Sequence, residues 1–185
     1  MNYKRLILVV VLCFPGIISM AQTKTPSAEI ILKSAYDRAG KEHKKVFVIF
    51  RASWCGWCHK MDSSMNDKSC RKFFDDNYII CHLTVDEAKG KEWLENPGAT
   101  ELRNKYNGTG SGIPFWLVLD QNARLLADSK MRPDGAGFEI MGDNSGCPAS
   151  KAEVAYFLNV LRKTSRLTAS ELSVVAKRFS KNAVN

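Results

Sequence analysis

Cys55 and Cys58, separated by Gly56 and Trp57, are the residues of this 185-residue chain whose types and spacing imply chemistry most directly. Thiols three positions apart lie one helical turn apart, so their sulfurs can meet with little backbone movement. The chemistry is thiol–disulfide exchange: a thiolate attacks a disulfide, a mixed disulfide forms, and a second thiol resolves it. Val46 to Phe50, just ahead, is a continuous apolar run suited to a strand buried on both faces, and a helix is expected to open at the cysteines. A helix N-terminus offers free N–H groups and the positive end of the helix dipole to a thiolate. Cys55, at the start of that helix, is expected to be exposed with a depressed pKa. Cys58, one turn further in, is expected to be more buried.

The same residues admit other readings. Cys55-Gly56-Trp57-Cys58-His59 also spells C-x-x-C-H, the attachment pattern of c-type haem. Against it stand the buried strand before the cysteines and a Gly112-Ile113-Pro114 stretch far downstream. A zinc site lacks ligands: the histidines are His43, His59 and His82, and there is no second C-x-x-C. Gly108 to Gly112 has the glycines of a phosphate loop but not its lysine or following helix. A further alternative is a binding module of the same fold, with Cys55–Cys58 as a fixed disulfide and Trp54 and Trp57 exposed for a peptide.

The elements that must position the cysteines are readable from periodicity. Ser27 to Gly40 has helical spacing of Ile30, Ile31, Ala35 and Ala39, with Gly40 as its stop. His43 falls in a charged, solvated loop. Cys58, Met61 and Met65 share one helical face and read as core. Asp67 to Asp76 is a further helical stretch. Tyr78 to Val85 alternates as a second strand, and Trp93 to Tyr106 is helical with a break at Asn96-Pro97-Gly98. Phe115 to Leu119 and Ala123 to Ala127 form a hairpin across Asp120-Gln121-Asn122. Ser129 to Pro148 reads as a long loop. Ser150/Glu153 and Thr168/Glu171 are capping boxes opening two amphipathic helices. Val154, Phe157, Leu158 and Leu161 form the buried stripe of the first; Leu172, Val175 and Phe179 belong to the second. This order predicts an α/β fold: a mixed central sheet with a parallel core and an antiparallel hairpin, flanked by helices, with an extra C-terminal helix.

Lys4 and Arg5, the aliphatic run Leu6 to Cys13, and Ser19-Met20-Ala21 read as a secretory signal peptide over residues 1–21, cleaved between Ala21 and Gln22. The apolar stretch is short for a membrane span, so no stable insertion is expected after cleavage. Leu12 before Cys13 argues against lipidation. Residues 22–185 are then one domain, with a C-terminal helical extension from about 164. The formal charge of +8 is carried by scattered lysines and arginines; with export, this argues for solubility rather than a nucleic-acid partner. Five cysteines remain after Cys13 is removed with the signal, so at least one thiol cannot pair within a monomer. Cys81 reads as a small strand hydrophobe, a Cys70–Cys81 disulfide stays open, and Cys147 before Pro148 reads as incidental.

A C-x-x-C after a buried strand, followed by Gly112-Ile113-Pro114 ahead of a hairpin, resembles the thioredoxin family, over roughly Ala28 to Lys163. Trp57-Cys58-His59-Lys60-Met61-Asp62, with Val85-Asp86 downstream, is most similar to its exported bacterial branch. The resemblance implies a thioredoxin fold and a disulfide oxidoreductase in the periplasm. Its catalytic residues would be Cys55 and Cys58. Its proline, here Pro114, would be cis beside them, and Ile113 would offer backbone hydrogen bonds to an extended substrate. Trp54, Gly56 and Trp57 complete the expected substrate contacts. No cofactor or metal is implied; the partners are protein thiols and disulfides and a membrane redox donor. Three departures qualify it. Trp57 stands where thioredoxin has proline, so the redox potential does not transfer. Ile49 stands where thioredoxin has a buried aspartate, and His82 where the next strand often has lysine. His82 is therefore a candidate for proton transfer near Cys58, beside the plainer reading of a half-buried strand residue. Reduction or interchange is favoured over oxidation because no large helical insertion is visible.

Overall fold

The computed structural model describes residues 25–133 and 135–183. The signal segment read at 1–21 lies outside the described residues. Chain order is α1 (Ala28–Glu42), β1 (Lys45–Arg51), α2 (Gly56–Met65), α3 (Arg71–Asn77), β2 (Tyr78–Thr84), α4 (Ala99–Lys105), β3 (Phe115–Leu119), β4 (Leu125–Asp128), β5 (Lys130–Met131), β6 (Asp143–Asn144), α5 (Lys151–Thr164) and α6 (Ala169–Phe179). The main sheet has the order β2-β1-β3-β4. β1 and β2 are parallel, with Ile49 opposite His82, and β1–β3 and β3–β4 are antiparallel.

The position of β1 explains its composition. Phe47 and Ile49 enter the core beneath α5 and α6, while Val46, Val48 and Phe50 enter the core beneath α1. A strand buried on both faces leaves no place for a polar residue, hence the unbroken apolar run. Phe47, Phe74, Trp116, Phe157 and Phe179 form a ring cluster on the first face, Phe157 and Phe179 lying 4.9 Å apart between centroids. Both capping boxes form, at Ser150/Glu153 and Thr168/Glu171. Leu172, Val175 and Phe179 bury α6 against this face.

Several boundaries differ from the sequence reading. α1 passes Gly40 and ends at His43, which adopts a left-handed conformation (φ 52°) and returns its N–H to Ala39 O. The stretch from Asp67 opens as a turn, because the Asp67 carboxylate accepts from Ser69 N and Oγ; the helix starts only at Arg71. β4 begins at Leu125 rather than Ala123 because Asp120 Oδ1 gathers the N–H groups of Asn122 and Arg124 into a wider turn. On α5, Leu158 is half-buried and Val160 takes a place in the core. The segment after β4, read as a loop, carries the two-stranded β5–β6 pair and a buried ion pair, with Arg132 Nη1 and Nη2 bonding Asp128 Oδ1 and Oδ2 at 2.6 and 2.9 Å. Side-chain anchoring of this kind leaves no periodic trace in sequence.

Candidate active site

The cysteine centre stands where β1 hands over to α2. Cys55 is the N-cap of α2, in an extended conformation, and Cys55 N bonds Ala52 O at 3.1 Å. Its Sγ accepts from Cys58 N at 3.1 Å, so the sulfur takes the place usually held by a serine or aspartate oxygen at a helix start. Cys55 and Cys58 are joined as a disulfide, with Cα atoms 5.2 Å apart. Both sulfurs are thus engaged with one another, and the His59 ring donates from Nε2 to Ser53 O at 2.9 Å.

The expected contrast in exposure between the two cysteines is not found: Cys55 is 3% and Cys58 1% exposed. Ile113 accounts for this by packing over both, with Cys55 Sγ 3.5 Å from Ile113 O. The Ile113–Pro114 peptide is cis. Access to the sulfurs is framed by two indoles, Trp54 at 58% and Trp57 at 43% exposure. Trp54 Nε1 donates to Asp86 O at 2.8 Å, while Ser53 N and Oγ bond Glu87 at 2.6 and 2.7 Å. Arg103 makes a paired contact with the Asp86 carboxylate, with Nη2 3.0 Å from Oδ1. Trp57 lies under the Lys60 ammonium, 4.5 Å from its centroid. Gly56, the first residue of α2, has open space where a side chain would point.

Trp57, Ile113 and Pro114, brought together from more than fifty residues apart in sequence, line one pocket of about 230 Å³ with Cys147, and Ile113 also packs on Cys55 and Cys58. The β6 end supplies its far wall. Asn144 Nδ2 donates to Gly112 O at 2.6 Å and to Pro114 O at 3.2 Å, and Trp116 Nε1 donates to Gly146 O. A larger groove of about 730 Å³ between α1 and α4 contains no residue of the cysteine centre.

His82 is not joined to Cys58; it is joined to Asp62. Asp62 lies one turn beyond Cys58 on α2, and its carboxylate accepts from His82 Nε2 at 2.8 Å and Arg51 Nη1 at 2.6 Å. Burial pushes the Asp62 pKa up, but the hydrogen bond and charge of His82, followed by the charge of Arg51, outweigh it and hold the group below its ordinary 3.8. Sequence reasoning missed Asp62 as a partner, although its i+4 spacing from Cys58 was visible. It also gave Asp86, Glu87 and Asn144 no role; these hold Trp54, Ser53 and the Gly112–Pro114 backbone through contacts that residue type does not announce.

Cys70, Cys81 and Cys147 are free and buried, so the Cys70–Cys81 disulfide left open by the sequence is not formed. Cys70 Sγ donates to Ser64 O at 3.1 Å. Burial pushes the Cys81 and Cys147 thiols up to about 12, and raises Cys70 as well.

The chain matches the family model described as Thioredoxin-like over residues 28–121 and belongs to the thioredoxin-like family. It is a thioredoxin-like domain with a disulfide-forming C-x-x-C pair. No curated protein matches it. Among solved structures it is similar to a disulphide isomerase from Xylella fastidiosa Temecula1 (19% identity, 60% of this chain and 79% of that chain, TM-score 0.46). It is similar to a DsbH oxidoreductase (20% identity, 84% and 95%, TM-score 0.41) and to the oxidised C-terminal domain of Neisseria meningitidis DsbD (20% identity, 66% and 90%, TM-score 0.40).

Proposed function

We propose that this protein is an exported thiol–disulfide oxidoreductase acting on protein disulfides, in the reducing or interchange direction, with Cys55 as nucleophile and Cys58 as resolving thiol. The observation that carries the reading is the Cys55 sulfur: it caps α2, accepts the Cys58 N–H, and is bonded to Cys58. A donor N–H and a helix N-terminus favour the anionic form of sulfur, the form that attacks.

In the reducing direction, the Cys55 thiolate attacks one sulfur of a substrate disulfide, and the second substrate sulfur leaves as a thiolate and takes a proton. The Cys58 thiol loses its proton and attacks Cys55, releasing the first substrate sulfur. The substrate gains two electrons and two protons, and Cys55–Cys58 closes into the disulfide seen here. Trp54, Gly56 and Trp57 border the attacking sulfur, and Ile113 and Pro114 offer an edge for an extended chain. His82 is proposed to help Cys58 lose its proton through the Asp62 network; a His82→Ala variant with unchanged exchange rates and pH dependence would refute that role. Return to the dithiol needs a two-electron dithiol donor, proposed to be a membrane redox partner. Export to the periplasm rests on Lys4, Arg5, the Leu6 to Cys13 run and Ser19-Met20-Ala21. Among the described residues no helix is long and apolar enough to cross a membrane.

The test is a redox titration of the chain from Gln22 onward, by thiol trapping across a glutathione or dithiothreitol series. A strongly reducing couple, lost in Cys55→Ser, is the expected result. A high potential would reassign the direction to oxidation or isomerisation, and a pair that never exchanges would reduce the protein to a binding module. Sequencing the N-terminus of the exported protein is expected to read from Gln22; an intact start would overturn cleavage.

A further inference from the structure

A buried guanidinium stands behind the cysteine centre. Arg103, on α4, is 7% exposed, and its Nη1 and Nη2 donate to Oδ2 and Oδ1 of Asp86. Its Nε has no hydrogen-bond partner among the described residues. A buried donor left unpaired costs free energy, so stability alone does not account for this placement. The forked contact with Asp86 does, because a planar guanidinium that reaches both carboxylate oxygens has its orientation fixed.

Asp86 in turn holds one side of the centre. It follows β2 in a left-handed conformation (φ 53°), a region that residues with a side chain rarely occupy. In that conformation its carbonyl oxygen accepts from Trp54 Nε1 at 2.8 Å, next to Cys55 in sequence. The backbone and stem of Arg103 hold the other side. Arg103 O accepts from Gly108 N at 2.9 Å, and Gly108 O accepts from Ser111 N at 3.1 Å, two residues before Ile113. Ile113 is the residue that packs over both cysteines. Gly108 has no room for a side chain: a Cβ there would strike Arg103 Cγ and lie 2.9 Å from Arg103 O. The loop that leads to Ile113 is therefore seated directly on the arginine.

We propose that Arg103 is a positioning residue that sets Trp54 and Ile113 relative to one another across the cysteine pair. Its guanidinium fixes Asp86 and thereby the Trp54 indole. Its stem and carbonyl seat the Gly108 loop and thereby Ile113. A protein disulfide must pass between Trp54 and Ile113, whereas a small disulfide makes less use of either. Arg103 thus acts on the binding of protein substrates more than on the exchange step. The inference rests on the exchange activity proposed above and adds a remote control of its substrate range.

The experiment compares steady-state reduction of insulin with reduction of oxidised glutathione, dithiothreitol serving as electron donor, in variants shown to be folded by circular dichroism. Arg103→Met keeps the stem and removes the fork. It is expected to raise KM for insulin about fivefold, the worth of about one net hydrogen bond, with kcat and the glutathione rate within about twofold of wild type. Arg103→Lys keeps the charge but cannot bridge both oxygens, and is expected to restore part of the loss, leaving KM raised about twofold. Gly108→Ala, which pushes on the stem from the loop side, is expected to raise KM for insulin in the same sense; if it does not fold, the two arginine variants decide. A proportional loss on both substrates would make Arg103 a stabilising residue only and overturn the proposal. So would unchanged insulin kinetics in Arg103→Met. No exchange by the wild type with either disulfide would overturn the oxidoreductase reading, and this inference with it.

Discussion

Cys55 and Cys147 are buried to nearly the same degree, at 3% and 5% exposure, yet their sulfurs differ in what surrounds them. Cys55 sits at a helix start, where a backbone N–H is aimed at its sulfur and the disulfide partner is the donor's own residue. Cys147 sits at the edge of the core and lines the pocket with Trp57 and Pro114; the Asn182 amide donates to its sulfur at 3.4 Å, but burial outweighs the attraction of Lys60 and Arg178. Cys70 sits among acceptors, donating to Ser64 O. Burial thus holds the Cys147 thiol protonated, and we propose that Cys55, at similar depth, is set apart by the helix start and the backbone N–H at its sulfur.

The largest effect expected from this contrast is on activity. Cys55→Ser is expected to abolish disulfide exchange, while Cys58→Ser still attacks once and accumulates the mixed disulfide, read as a covalent adduct on a non-reducing gel. Cys70→Ala is expected to leave exchange rates within about twofold and to cost about 1–2 kcal/mol of stability, from the vacated volume and the lost bond to Ser64, measured by urea unfolding. Loss of exchange in that variant would break the division between working and structural cysteines.

A smaller effect lies in the acid limb of stability. The Asp62 pKa is held below 3.8 in the fold, so its contribution is present above that value and is lost as pH falls through the lower folded value. Asp62→Asn is expected to flatten the decline of stability below pH 3.8, measured by denaturant midpoints across acid pH. An unchanged acid limb would show that the Arg51–Asp62–His82 contacts contribute nothing to folding.

How much of this could be read beforehand varied with the kind of interaction. The apolar run Val46 to Phe50, both capping boxes and the Phe115 to Leu119 strand were legible, since each depends on local spacing. The C-x-x-C at the opening of α2 was legible for the same reason. The burial of Cys55 was not, because the cover, Ile113, arrives from fifty-eight residues away. Asn144 was hidden within a segment of glycines and prolines whose order comes from the buried Asp128–Arg132 pair and a two-residue ladder. His82 was noticed for an unusual residue type, but its partner Asp62 becomes evident only when β2 and α2 are set side by side.

The most direct test of the central claim is the alkylation of the reduced, folded protein with iodoacetamide as a function of pH, read cysteine by cysteine by mass spectrometry. Cys55 is expected to be modified rapidly at neutral pH, while Cys81 and Cys147, whose thiols are held up to about 12, react only after unfolding. Labelling of Cys147 or Cys81 in the folded protein as fast as Cys55 would contradict the claim that the α2 N-terminus, rather than exposure, selects the reactive sulfur.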